Sequence, residues 1–184
     1  SIQANESFDL VAVVDPDIKN IGINMPEVRF TKTIEEVQNL YVDLAVIACP
    51  TSTHLETCSQ LVKHLNPSAI LIEKPVGLTL MECKEIMKCL QEIPTVVVNY
   101  QRNYNQNILQ QVFDTTSFGY SKGVVYYSNG AINNASHGLA LLILVLGTPT
   151  SVFRSSRGIK ESLSDLNFDF VVEFGETRIF FIAT

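Results

Sequence analysis

Along the first hundred residues, short unbroken apolar runs alternate with stretches in which apolar residues recur every three or four positions. The runs are Phe8–Val14, Asp43–Cys49, Ala69–Ile72 and Thr95–Asn99. They are rich in β-branched side chains and lack polar/apolar alternation. That pattern predicts strands of a parallel sheet, buried on both faces. A further short strand is expected over Val28–Thr31. The intervening stripes are Ile34, Val37 and Leu40; then Leu55, Cys58, Leu61, Val62 and Leu65; then Leu80, Cys83, Ile86, Met87 and Leu90. Each fits one face of a helix. Each also follows a threonine with a glutamate three residues later: Thr33/Glu36, Thr53/Glu56 and Thr79/Glu82. All three pairs are expected to form capping boxes. Strand and capped helix in alternation predict a parallel sheet with helices on its faces.

After Tyr100 the pattern changes. Residues 104–114 predict a helix and Gly123–Ser128 a strand. Asn129–Ser136 is small and polar. His137 opens a very apolar helix, Gly138–Leu146, ended by Gly147 and Pro149. Ser151–Ser155, Phe168–Phe174 and Thr177–Ile182 predict strands, the last two joined in a tight hairpin at Gly175-Glu176. The expected fold is α/β. Residues 1–99 form a Rossmann-type parallel sheet with its N-terminal part missing. Residues 100–184 form an α+β domain with a mainly antiparallel open sheet.

Bulk properties narrow the classes. With 184 residues, the chain has room for one or two domains. Hydrophobic residues at 46% against charged residues at 17% exclude a disordered chain. A net charge of −6 with no Lys/Arg cluster argues against nucleic-acid and anionic-membrane partners. The longest strongly apolar run, Leu139–Leu146, is too short to span a bilayer. No basic-then-apolar signal segment opens the chain. Cys49, Cys58, Cys83 and Cys89 form no CxxC pair, so buried thiols and a reducing cytoplasm are expected, with no metal site.

Ligands of parallel sheets lie beyond the carboxyl ends of the strands. Here those ends are Asp15, Pro50, Glu73-Lys74 and Asn99-Tyr100. An acidic group at Asp15 can accept hydrogen bonds from ribose hydroxyls, and its charge disfavours the extra phosphate of NADP. It also suits an ordinary strand-end turn. Pro75 holds Lys74 out of the α region, which projects a cation from the sheet. Lys74 then either polarises a ligand or is a surface lysine or a partner of Glu73. His137, at a helix start, is expected to be a neutral imidazole, since the helix N-terminus disfavours the cation. It acts as a base or simply caps its own helix. His54 lies in the first turn after a strand, facing a cofactor or serving the structure. No GxGxxG occurs in the chain, so nothing local marks a pyrophosphate site.

Three patterns occur in order: a Pro-Thr-x-Thr-His turn, then Glu-Lys-Pro, then an Asn-rich loop before Ser-His and an apolar helix ending in Gly. That order resembles the Gfo/Idh/MocA family of NAD(P)-dependent oxidoreductases, from Phe8 to about Phe181. The resemblance implies hydride transfer between a nicotinamide cofactor, NAD rather than NADP, and a secondary alcohol or ketone of a sugar, cyclitol or nucleotide sugar. It implies that Lys74 touches substrate and nicotinamide, and that His137 is the acid/base. Asp15 then meets the adenosine ribose, while Pro50, Thr51, His54 and Glu73 pass the cofactor. Arg102 matches the basic position opening the second domain, and Asn133 and Asn134 fall on the substrate side. Many members carry Asp where Asn133 stands. An amide is no base, so the proton relay rests on Lys74 and His137. The family's first strand and glycine loop are missing here, and the chain ends early by comparison. A homo-oligomer, dimer or tetramer, is expected through the open sheet. The rival expectations are a non-catalytic binding or regulatory relative, and a reductase of the imine or biliverdin type. The substrate has no readable code.

Overall fold

The computed structural model describes residues 6–17, 25–116, 119, 121–155, 160–161 and 166–184. The chain divides into two compact units, Ser1–Asn99 and Tyr100–Thr184.

In the first unit, β1 (Ala12–Val14) pairs in parallel with β2 (Arg29–Thr31). A second parallel sheet runs in the order β3 (Leu44–Ile47), β4 (Ala69–Ile72), β5 (Thr95–Val98). Helix α1 (His54–His64) joins β3 to β4, and α2 (Leu80–Cys89) joins β4 to β5. The register aligns Ala45 with Ile70 and Ile47 with Ile72. Because side chains alternate along a strand, these four share one face. They pack with Cys58 and Leu61 of α1, Ile86 of α2, and Leu90 and Ile93 beyond it. Each buried Ile or Leu among them contributes about 1.5–3 kcal/mol through burial.

Three expectations change. The opposite face is not closed: Val46 is 41% exposed. Helices α1 and α2 both contribute to the core built on the Ala45/Ile47 face, so the strands are not buried on both sides. The first strand is likewise shorter than Phe8–Val14, and Val14 is 37% exposed. Among the described residues β1 pairs with β2 alone. The capping boxes also diverge. Thr79 and Glu82 form both reciprocal bonds. Thr53 does not cap; its hydroxyl donates to the Pro50 carbonyl at 2.8 Å. After Thr33 there is only a 3-10 turn, Glu35–Val37, and half a box: Glu36 Oε1 accepts from the Thr33 N–H and hydroxyl, both at 3.0 Å, while the N-cap residue Ile34 has no side-chain cap.

In the second unit, a 3-10 turn (Gln101–Tyr104) precedes α3 (Gln106–Thr116) and β6 (Lys122–Tyr127). A π-helical turn, Ala131–Ala135, runs straight into α4 (Ser136–Leu146). There follow β7 (Ser151–Arg154), a small antiparallel pair β8 (Lys160–Glu161) and β9 (Leu166–Asn167), then β10 (Phe170–Phe174) and β11 (Thr177–Ala183). The main sheet has the order β6-β11-β10-β7. Two of its ladders are antiparallel, and β11 pairs with β6 in parallel. It is therefore a mixed sheet. Gly175, at φ 60°, makes the hairpin between β10 and β11.

One face carries Tyr127, Phe170, Val172, Phe174, Ile179 and Phe181, packed by Leu139, Leu142 and Leu146 of α4. Phe170 stacks on Phe181 with centroids 4.4 Å apart. Gly138 brings α4 close: a Cβ there would lie 3.2 Å from Val125 Cγ1. On the other face the register lines up Val124, Phe180, Val171 and Phe153 across all four strands. Val124, Phe153 and Tyr126 are more than half exposed.

Candidate active site

In the first unit the strand ends are tied to one another. The ladder continues past β4, where the Glu73 N–H donates to the Ile47 carbonyl at 2.9 Å. The Asn99 N–H donates to the Ile72 carbonyl at 2.8 Å. The Glu73 carboxylate then accepts from Asn99 Nδ2 at 2.5 Å, joining the ends of β4 and β5. Lys74 follows, half-buried, with a cis peptide to Pro75.

His54 lies beneath this loop and is fully enclosed, at 0% exposure. Its Nδ1 is 3.0 Å from the Val76 carbonyl oxygen, and its Nε2 is 3.1 Å from the Cys49 carbonyl oxygen. The ring therefore sits between the end of β3 and the loop after β4, and its tautomer decides which of the two carbonyls receives an N–H. Gly77 presses on α2, and a Cβ there would sit 3.0 Å from Glu82 Cβ and 3.1 Å from the Cys83 backbone nitrogen. The Leu78 and Thr79 N–H groups both donate to Glu82 Oε2. Lys74 and Pro75 thus span a gap between anchored Glu73 and anchored Val76.

The other expected residues of this unit stand as follows. Pro50 is exposed, and its carbonyl accepts from the Thr53 N–H at 2.9 Å. Thr51 starts the 3-10 turn Thr51–Thr53 and is half-buried. Asp15 directly follows β1. Its N–H donates to Thr31 O at 3.0 Å, and its Oδ1 accepts from the Asp17 N–H at 2.7 Å. Asp15 thus shapes a strand-end turn of the Asx type.

In the second unit His137 is 8% exposed and meets Tyr100 edge to face, with centroids 5.7 Å apart. The electrostatic argument from a helix N-terminus does not apply in the expected form. The π turn precedes α4, and the Ser136 N–H already donates to the Ala131 and Asn134 carbonyls. The first donors are occupied, so the field that a bare helix end would place on His137 is reduced. Asn134 is held by its Nδ2, which donates to Ser128 O at 2.9 Å. Asn133 is exposed on the same turn, and Arg102 is exposed in the turn Gln101–Tyr104. Gly130 enters the π turn at φ 97°, its N–H donating to Asn167 Oδ1 at 2.7 Å.

Three features escaped the sequence analysis. The Asn99 side chain grips Glu73, although only its strand-end position was legible. Val76 supplies a carbonyl, which no side-chain pattern encodes. Asn103 has a buried side-chain oxygen with no hydrogen-bond partner among the described residues, in a turn whose pattern carries no chemical signal. Among the described residues there is no group of three or more His, Cys, Asp or Glu that could hold a metal ion. No described helix is long and apolar enough to cross a membrane.

A parallel sheet with helical crossovers defines the first unit as a Rossmann-type fold. The model of the Gfo/Idh/MocA oxidoreductase family, NAD-binding Rossmann fold, matches residues 1–100. The chain belongs to that family. Solved structures similar to it include the yvaA oxidoreductase of Bacillus subtilis, at 15% identity and TM-score 0.80, covering 99% of this chain and 58% of that one. A protein of Desulfitobacterium hafniense named as an NADPH-dependent oxidoreductase aligns at 15% identity and TM-score 0.81, covering 99% and 61%. The WlbA dehydrogenase of Thermus thermophilus, solved with NAD and α-ketoglutarate, aligns at 18% identity and TM-score 0.71, covering 95% and 64%. At such identities the likeness is one of fold. The chain spans 58 to 64% of the length of these three. No curated protein matches it.

Proposed function

We propose that this protein is an NAD-dependent oxidoreductase acting on a secondary alcohol or ketone of a sugar, cyclitol or nucleotide sugar. The observation that carries the proposal is the anchored Glu73-Lys74-Pro75 loop at the end of β4. A lysine whose neighbours are fixed on both sides is a preorganised cation, and it costs little reorganisation when an alkoxide forms beside it. When bound, the nicotinamide supplies the hydride acceptor. In this proposal Lys74 orients the reacting hydroxyl, and His137 takes or returns its proton. The turn Pro50-Thr51 and the Asp15 carboxylate face the cofactor. Arg102, Asn133 and Asn134 offer donors and acceptors to substrate hydroxyls. His54, enclosed by protein, contributes through the loops it joins.

The preference for NAD over NADP rests on Asp15, whose charge repels a ribose phosphate. The open face around Val124, Tyr126 and Phe153 supports assembly with further copies of the chain. A cytoplasmic location accords with the free thiols of all four cysteines.

Titration of the chain with NADH and with NADPH, followed by nicotinamide fluorescence, tests the cofactor. We expect tighter NADH binding, and we expect Asp15→Ala to erase the preference. Absence of any binding would remove the proposal. His137→Ala is expected to abolish turnover of a sugar alcohol while sparing NADH binding; unchanged turnover would remove His137 from its role.

A further inference from the structure

His54 is fully buried, and its two ring nitrogens face backbone carbonyls, Nδ1 3.0 Å from Val76 O and Nε2 3.1 Å from Cys49 O, so an imidazole with one N–H donates to one of the two according to its tautomer. A buried polar ring is retained at a cost unless it is hydrogen-bonded. The two carbonyls lie on successive strand-end loops, so the nitrogen that carries the hydrogen decides which loop the ring holds. Val76 is two residues past Lys74. On the other side of Lys74, the Glu73 carboxylate is held by Asn99. We propose that His54 is a positioning residue for Lys74: its Nδ1–H fixes the Val76 carbonyl, and so sets where the lysine leaves the sheet. The reacting role of Lys74 rests on the function proposed above, whereas the tie itself does not.

The arrangement explains why an imidazole occupies this place. A hydrophobic side chain would fill the same space but leave the Val76 carbonyl without the Nδ1–H donor. That loss costs about 1–3 kcal/mol. An asparagine carries its amide nitrogen about as far from the backbone as Nδ1, and a glutamine about as far as Nε2. The two amides therefore separate the two contacts. His54→Asn offers a donor at the Nδ1 position, towards Val76, and His54→Gln offers one at the Nε2 position, towards Cys49. His54→Phe retains neither.

The test is backbone hydrogen exchange of the full chain, without cofactor, in the wild type and the three variants. In His54→Phe and His54→Gln we expect exchange of the Lys74, Val76 and Gly77 amides to rise about tenfold or more, the factor equivalent to ~1.4 kcal/mol. In His54→Asn we expect those amides to stay within about threefold of wild type, below ~0.7 kcal/mol on the same scale. Protection of the β4 amides, Ile70 to Ile72, is expected to hold in all variants that fold. Rescue by Asn but not by Gln identifies the Nδ1 bond. Equal loosening in Asn and Gln, rescue by Gln alone, uniform loosening of the whole unit, or no loosening at 74–77 each overturns the proposal. The measurement needs no cofactor, so failure to bind NADH would leave the exchange pattern standing and would strike only the functional proposal.

Discussion

The chain contains the same short motif three times, and the structure predicts opposite outcomes for two of them, Thr79/Glu82 and Thr53/Glu56. Thr79 accepts from the Glu82 N–H at 3.1 Å, while Glu82 Oε2 accepts from the Thr79 N–H at 3.2 Å and the Leu78 N–H at 2.7 Å. Replacing Thr79 by Ala removes the acceptor for a helix-end donor, which typically costs about 1 kcal/mol. Glu82→Ala strips two further donors. Because both side chains serve one box, their effects should not add, and a double-mutant cycle should return a coupling of at least ~0.5 kcal/mol. Thr53 and Glu56 have identical spacing, but the Thr53 hydroxyl points back to Pro50 O and no side-chain cap exists. Its cycle should therefore return a coupling within the ~0.3–0.5 kcal/mol scatter of independent sites. The assay is urea unfolding followed by far-ultraviolet circular dichroism, with the four single and two double variants measured together. Equal coupling in the two cycles, or a larger one at Thr53/Glu56, would refute the reasoning.

Phe181→Ala should lower stability by about 3–5 kcal/mol, since a fully buried ring stacked on Phe170 is removed; denaturant titration measures this, and a loss under ~1 kcal/mol would contradict the core described. Burial, helped by the neighbouring Cys89 and Cys49 thiols, pushes the Cys58 thiol from 9.0 up to about 12. The folded state thus holds the proton more tightly, so this contribution is complete below pH 9.0 and is lost as pH rises towards 12. The stability difference between wild type and Cys58→Ala should shrink across that window, and a flat difference would contradict it. The Ser151 hydroxyl, then the Arg178 guanidinium, hold the Glu173 carboxyl below its usual 4.5. Its contribution is therefore present above 4.5 and lost as pH falls through the lowered value. Glu173→Gln should flatten that part of the acid-unfolding curve, which calorimetry at stepped pH will show.

Some of this protein is determined by sequence alone, because the relevant forces are local. The strand Ala69–Ile72 is bounded as its apolar run predicts. Helix α4 ends at Leu146, where Gly147 adopts φ 85°. The Glu-Lys-Pro loop at the end of a buried strand is likewise legible, since a proline and two charges interrupt an apolar run in one place.

What only the tertiary structure decided depends on groups distant in sequence. Whether a Thr-x-x-Glu caps a helix depends on what competes for the hydroxyl, and at Thr53 the Pro50 carbonyl wins. Strand β6 pairs in parallel with β11 more than fifty residues later, a register that no local pattern carries. The small polar segment before Ser136 became a π turn, so His137 lost the bare helix end that sequence assigned to it. His54 gives the clearest case. Its neighbours in sequence place it on the first turn after a strand, where a structural role is favoured over a cofactor contact but no partner can be named. Only the fold brings Val76, twenty-two positions on, within hydrogen-bond reach of its ring.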